Sequence, residues 1–373
     1  MKIWRRLILF IIIPVLWLNS GCSKDEFANE GVVETLQPIT ISGVDLCMEE
    51  DWETTKASSL DELTLSDFGL YAGLAKNSRF GVNTPGADYM ENAMVTKDWT
   101  LGTWSTQVKY YWPLKGNGTI SFFPYAPYIN DSAVLQLAST PLTGEPVLLY
   151  TPASSASQQK DLCIAPALYD KTVDNNPLSV HFNHALTYIQ FWANYKAGTS
   201  GLPSGVFIKI DRVTLHNVIG TKGVTWMRTD PYFVWDEDSE DDITDYSLSR
   251  SGEELTDNQV PSEPDALHLE YSRGMLYLLP QTINEPEQSE KSTLEIDFSF
   301  YRMDGSAEVL ISSFNVMKEL PSGTVWAPCS VVRYFFTLNV ENLSEVEIIA
   351  STDTWITDWQ PSGNTDPDVI FEK

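Results

Sequence analysis

The chain has 373 residues, 43% of them hydrophobic and 12% aromatic. That is enough apolar material for about two domains and excludes a disordered chain. Its 51 acidic and 24 basic residues leave a formal charge of −27, which repels phosphate backbones and anionic headgroups and argues against nucleic acid as a partner.

Lys2, Arg5 and Arg6 form a basic N-terminus, and residues 7–18, LILFIIIPVLWL, form an apolar run. The run is too short for a bilayer-spanning helix, which needs roughly 20 residues, and fits the apolar core of a signal peptide. Ser20 and Gly21 then precede Cys22. Small residues before a cysteine at this place resemble a bacterial lipobox, with Asn19 where a leucine is usual. The reading is a signal peptide over 1–21, with Cys22 lipidated as the first mature residue and 22–35 as a polar tether. Acyl chains contribute about 0.8 kcal/mol per buried CH₂, so two or three of them hold a protein firmly on a membrane. Ser23-Lys24-Asp25-Glu26 resembles the acidic export tag of surface lipoproteins.

Beyond the tether, apolar and polar residues alternate with the period of strands. Strands are expected within 37–46, 66–72, 107–112, 119–125, 133–138, 146–150, 178–193 and 206–218. More are expected at 274–279, 294–302, 308–315, 331–340 and 346–351. Residues 294–302 put Leu294, Ile296, Phe298 and Phe300 on one face. Residues 331–340 do the same with Val332, Tyr334, Phe336, Leu338 and Val340. Lys115-Gly116-Asn117-Gly118, Pro203-Ser204-Gly205, Asp304-Gly305 and Pro321-Ser322-Gly323 are turn signals between them. Many short strands joined by Gly/Pro turns predict an all-β sandwich protein.

Residues 236–258 are acidic and poor in hydrophobic residues, and read as a solvated loop or hairpin insertion. Asp236, Asp238, Glu240 and Asp242 imitate a calcium loop, but Asp241 replaces its glycine and Ser247 its terminal glutamate. Cys47, Cys163 and Cys329 lie in apolar surroundings and read as buried thiols, with one pair plus one free thiol left open. His184 reads as a packed strand residue, with His181 on the opposite face. His216 and His268 have no acidic or cysteine companion at motif spacing. A pocket holding His184 or His216 beside converging carboxylates would point to a hydrolase. No nucleophile elbow, zinc-protease motif or phosphate loop is present. The reading therefore assigns no catalytic residue, no metal and no cofactor, and expects no enzyme. Residues 110–128, YYWPLKGNGTISFFPYAPY, are dense in aromatic rings. They read as a buried strand–turn–strand pair, or else as a sugar-binding platform if Trp104, Tyr110, Tyr111 and Trp112 form an open face.

In order along the chain come YYWPLKGNGTISFFPYAP, KDLCIAPA (160–167), VHFNHALTYIQF, LYLLPQTI (276–283), SGTVWAPCSVVRYFFTLNV and STDTWITDW. This series resembles the fimbrillin-like (Mfa-like) proteins of the Bacteroidetes, the subunits of type V pili and their relatives. The resemblance implies two tandem transthyretin-like or Ig-like β-sandwich domains, placed at 36–190 and 191–373 with the border within 178–200. It also implies an outer-membrane lipoprotein, and a trypsin-like cut that removes the first strand so that a strand of the next subunit fills its groove. Here the removable strand is 37–46, with Ile39, Ile41 and Val44 as the side chains to be exchanged, and the cut falls after Lys56. Only fourteen residues follow Trp359, with one apolar run, Val369-Ile370-Phe371. The expected role is thus a structural, tip or anchor subunit that partners other pilus subunits and serves adhesion. The alternative is an unpolymerised surface lipoprotein that binds a glycan or host protein.

Overall fold

Strands dominate the computed structural model, which describes residues 35–46, 65–81, 83–138, 144–199, 201–227, 232–236, 243–249, 259–269, 276–343 and 345–354. The first half supplies β1 (Ile41–Leu46), β2 (Asp67–Ala75), β3 (Met90–Asp98), β4 (Thr103–Thr106), β5 (Thr119–Ala126), β6 (Leu135–Leu137), β7 (Val147–Tyr150), β8 (Cys163–Ile164), β9 (Leu168–Lys171) and β10 (Leu178–His184). Next come β11 (Thr187–Lys196), β12 (Val206–Ile219), β13 (Lys222–Trp226), β14 (Phe233–Trp235), β15 (Ile243–Ser249), β16 (Gln259–Val260) and β17 (Leu267–His268). The last are β18 (Leu276–Leu278), β19 (Gln281–Thr282), β20 (Thr293–Asp304), β21 (Ala307–Glu319), β22 (Val325–Trp326), β23 (Ser330–Asn339) and β24 (Val346–Thr354). The all-β expectation holds: two 3₁₀ turns, at Ala156–Gln158 and Val173–Asn175, are the helical elements among the described residues.

One sheet runs β2-β3-β4-β1-β10-β8-β5-β9, and β2 also pairs with β5, so the sheet curls back on itself. Strand β5 shows why. Ile120, Phe122 and Ala126 face a first core with Phe68, Val95, Trp112 and Phe182, while Phe123 and Tyr125 face a second core on the other side. A strand buried on both faces has no polar alternation, and all but the first residue of TISFFPYA are buried. The second core is closed by a sheet of order β14-β13-β7-β6, which joins strands from both halves of the sequence. A third core lies between the sheets β17-β11-β23-β24 and β15-β12-β20-β21.

The strongest patterns behave as read. Leu294, Ile296 and Phe298 are fully buried, as are Val332, Tyr334, Phe336 and Leu338. Phe300 continues the inward face of β20, half-buried against the third core beside Phe314; a register shift in the pairing with β21 follows it, and Tyr301 stacks on Phe207 of β12 on the other face. The turn Gly305-Ser306 closes the β20–β21 hairpin with Gly305 at φ +64°, a conformation glycine adopts without the Cβ clash.

Three expectations need correction. Residues 107–112 are not a strand: Tyr111 makes a single bridge to Pro38, and the buried Trp112 is drawn into the first core just before Pro113. Residues 178–193 are two strands, because the chain crosses from one sheet to another at Ala185 and Leu186, both fully buried in the second core. In the acidic segment, 243–249 is a strand paired to β12, since Tyr246 and Leu248 alternate into the third core. Asp238, Glu240 and Asp242 lie outside the described residues.

Candidate functional site

The strand β1 occupies a slot between β4 and β10. It runs parallel to β10, pairing Ile41 with Leu178, Val44 with Val180 and Leu46 with Phe182. On its other side it meets β4 through Ile41 and Trp104 alone. The chain just before it is held by main-chain bonds from Ile39 N–H to the Tyr110 carbonyl (2.9 Å) and from Trp112 N–H to the Gln37 carbonyl (2.9 Å). The Asn176 side-chain oxygen accepts from both the Thr40 N–H and hydroxyl, each at 2.9 Å.

Ile41 and Val44 are three residues apart, so in a regular strand they would face opposite sides. A register shift between Ile41 and Gly43 brings both into the first core, where they are buried, with Ile39 half-buried beside them. Burial of such side chains is worth roughly 1.5–3 kcal/mol each. On the outer face, Asp45 pairs with His181 of β10. The three residues singled out for exchange therefore share one hydrophobic surface. Cys22 and Lys56 lie outside the described residues, as does Cys47.

The other candidates fall elsewhere. Trp112 and Trp104 are buried, Tyr110 is half-buried and Tyr111 is exposed, so this segment is core and not an open aromatic platform. His181 and His184 take opposite faces of β10, one exposed and one buried. His216 sits between Asp245 and Glu295, each 2.9 Å from a ring nitrogen. Its acidic companions come from neighbouring strands, which spacing along the chain does not reveal. Burial opposes the charged imidazole, but the bonds to Asp245 and Glu295 outweigh it and hold its pKa above the usual value. An apolar groove of about 470 Å³, lined by Leu202, Val206, Phe300, Ile311, Phe314 and Leu343 among others, contains no histidine. His184 meets Asp161 and Cys163 in a buried cluster that the sequence reading did not anticipate.

An all-β chain with its first strand lodged in the middle of a curled sheet is the class of protein the geometry defines. The family follows from comparison. The sequence profile of the fimbrillin-like family matches residues 59–359, and the chain belongs to that family, one of pilus-type and adhesin-like surface proteins. A crystal structure of a fimbrial protein from Bacteroides vulgatus shares the fold, with a TM-score of 0.62 over 85% of this chain and 99% of that one at 19% identity. Proteins assigned to cell adhesion from Bacteroides ovatus (TM-score 0.47, 14% identity, 86% of this chain and 99% of that one) and Bacteroides uniformis (TM-score 0.44, 14% identity, 87% and 100%) are more distant in shape. No curated protein matches the chain.

Proposed function

We propose that this protein is a structural or accessory subunit of a surface pilus, carried to the outer membrane by lipid on Cys22 and assembled by exchange of β1. The observation that carries this reading is the slot between β4 and β10. Its occupant arrives from the N-terminal side, is held by parallel pairing to one neighbour and a single pair to the other, and fills the first core with Ile41 and Val44.

The physics is strand addition. Once the bond after Lys56 is cut, β1 is held only by non-covalent contacts. Its departure leaves unpaired main-chain groups on β10 and an open apolar pocket, and a strand from another subunit satisfies both. Cutting after Lys56 also removes the lipid. The burial of Trp104 and Trp112 gives the alternative of a glycan-binding aromatic face no support.

The test is to treat the purified full-length lipoprotein with a trypsin-like protease and run it without boiling. The expected result is a cut after Lys56 followed by a ladder of multimers, both absent in a Lys56→Gln variant. A clean cut that leaves only monomers overturns polymerisation by strand exchange. An intact chain under conditions that process a fimbrial control overturns the cleavage step.

A further inference from the structure

Asp161 and Cys163 are two apart in an extended segment, so their side chains leave the same face. Cys163 of β8 lies directly opposite His184 of β10 in antiparallel register, which puts the imidazole on that face as well. The Asp161 Oδ2 lies 2.7 Å from His184 Nδ1, and the Cys163 Sγ lies 3.7 Å from the same nitrogen. All three donor atoms fall within 4.8 Å of one another. The His184 side chain is 3% exposed and that of Asp161 16%, so the cluster is closed except on the carboxylate side.

The second carboxylate oxygen, Asp161 Oδ1, is buried and has no hydrogen-bond partner among the described residues. A buried carboxylate oxygen without a partner is costly. A cation among these side chains that engages Oδ1, alone or together with Oδ2, would remove that cost.

We propose that Asp161, Cys163 and His184 form a site for a divalent, borderline-soft cation, zinc foremost. Thiolate, imidazole and carboxylate are the ligand types zinc takes. With metal–ligand distances of about 2.0–2.3 Å, donors in a tetrahedral site stand roughly 3.3–3.6 Å apart. The Cys163–His184 separation is already close to that, and the Asp161–His184 pair needs to open by about half an ångström. The fourth position faces the partly open side beside Asp161 and takes water. On binding, the Cys163 thiol gives its proton to solvent, and His184, whose Nδ1–H donates to Asp161 in the metal-free site, gives up the Nδ1 proton and takes one at Nε2 so that Nδ1 can ligate. The site would clamp β8 to β10, the strand against which β1 lies, but its existence does not depend on the pilus reading.

The test is titration of the full chain, freed of metal with a chelator, with Co²⁺ and then Zn²⁺. One equivalent of Co²⁺ should give a thiolate-to-metal charge-transfer band in the near ultraviolet. Zn²⁺ should abolish that band and raise the unfolding temperature. Cys163→Leu, which keeps an apolar side chain of similar reach, should fold and lose the band. Asp161→Asn, nearly isosteric, should weaken Co²⁺ binding by about tenfold to a hundredfold. A wild-type chain that gives no band overturns the proposal, and so does a band that survives in Cys163→Leu, which would place the thiolate elsewhere. If Cys163→Leu does not fold, unchanged Co²⁺ affinity in Asp161→Asn overturns it.

Discussion

Two strands of this protein open comparable pieces of structure and are held very differently. Both β1 and β11 pair in parallel with a strand that comes later in the chain, β10 and β23 respectively. The β11 ladder is unbroken from Thr187 and Ser330 to Lys196 and Asn339. It carries Ile189, Phe191 and Ala193 into the third core, and β17 and β18 pair along its other edge. The β1 ladder is short, contains a bulge, and has one pair on its other side. A long, regular, doubly flanked strand is an irreplaceable part of the fold. A short strand anchored by two or three side chains is held far less firmly.

The sharpest way to break this contrast is to attack β11. Phe191→Ala should destabilise the protein by about 3–5 kcal/mol in denaturant unfolding, because the fully enclosed ring leaves a cavity. An effect below that of a β1 truncation would erase the distinction.

Acid should loosen the same sheet. His268 of β17 is buried and stacks on Trp192 of β11 with ring centroids 4.8 Å apart. Burial, helped by the Arg333 charge, lowers its pKa to about 4. A histidine whose folded value lies below its unfolded value of about 6.5 contributes full stability above 6.5 and loses it as pH falls through the folded value. Stability should therefore drop by on the order of 3 kcal/mol between pH 6.5 and 4 beyond the loss from carboxylates. His268→Phe should flatten that part of the profile; an unchanged profile would remove His268 as the cause.

On β1, Ile41→Ala should cost about 2–3 kcal/mol and should speed proteolysis of the N-terminal segment while leaving far-ultraviolet dichroism unchanged. Loss of the whole fold in this variant would make β1 as indispensable as β11. The smallest effect is expected at the bulge. A Cβ on Gly43 would approach Ser179 Oγ to 3.1 Å, a contact a hydroxyl can relieve by rotation. Gly43→Ala should shift stability by less than about 1 kcal/mol.

The strands easiest to read in the sequence are those with one wet and one dry face. Leu294, Ile296 and Phe298 alternate with Glu295, Asp297 and Ser299, and only one pleat orientation buries them. The curled first sheet is less legible. Strand β3, MENAMVTKD, has no such alternation: Ala93 and Met94 are both half-buried and Val95 is buried. The join at Ala185 and Leu186 is hidden for a different reason, since a crossing between sheets inside a core is as apolar as the strands it connects. Ile39, Ile41 and Val44 are singled out by the family resemblance and not by any pattern of their own. Their common face is not legible, because it depends on a bulge. The Asp161–Cys163–His184 cluster is not legible because its third member stands 21 residues beyond Cys163, on a strand aligned by register and not by spacing.

The sheet formed by β6, β7, β13 and β14 has a mechanical consequence. Strand β7 is zipped to β13 from Val147 and Thr225 to Tyr150 and Lys222, and the buried Lys222 ammonium donates to the Pro280 carbonyl at 2.8 Å. Strands from early and late in the chain are thus riveted side by side. The first and third cores should therefore not part as separate bodies under load without tearing that seam. In single-molecule stretching the folded part should yield in one rupture, and two well-separated ruptures would show that the seam carries no tension.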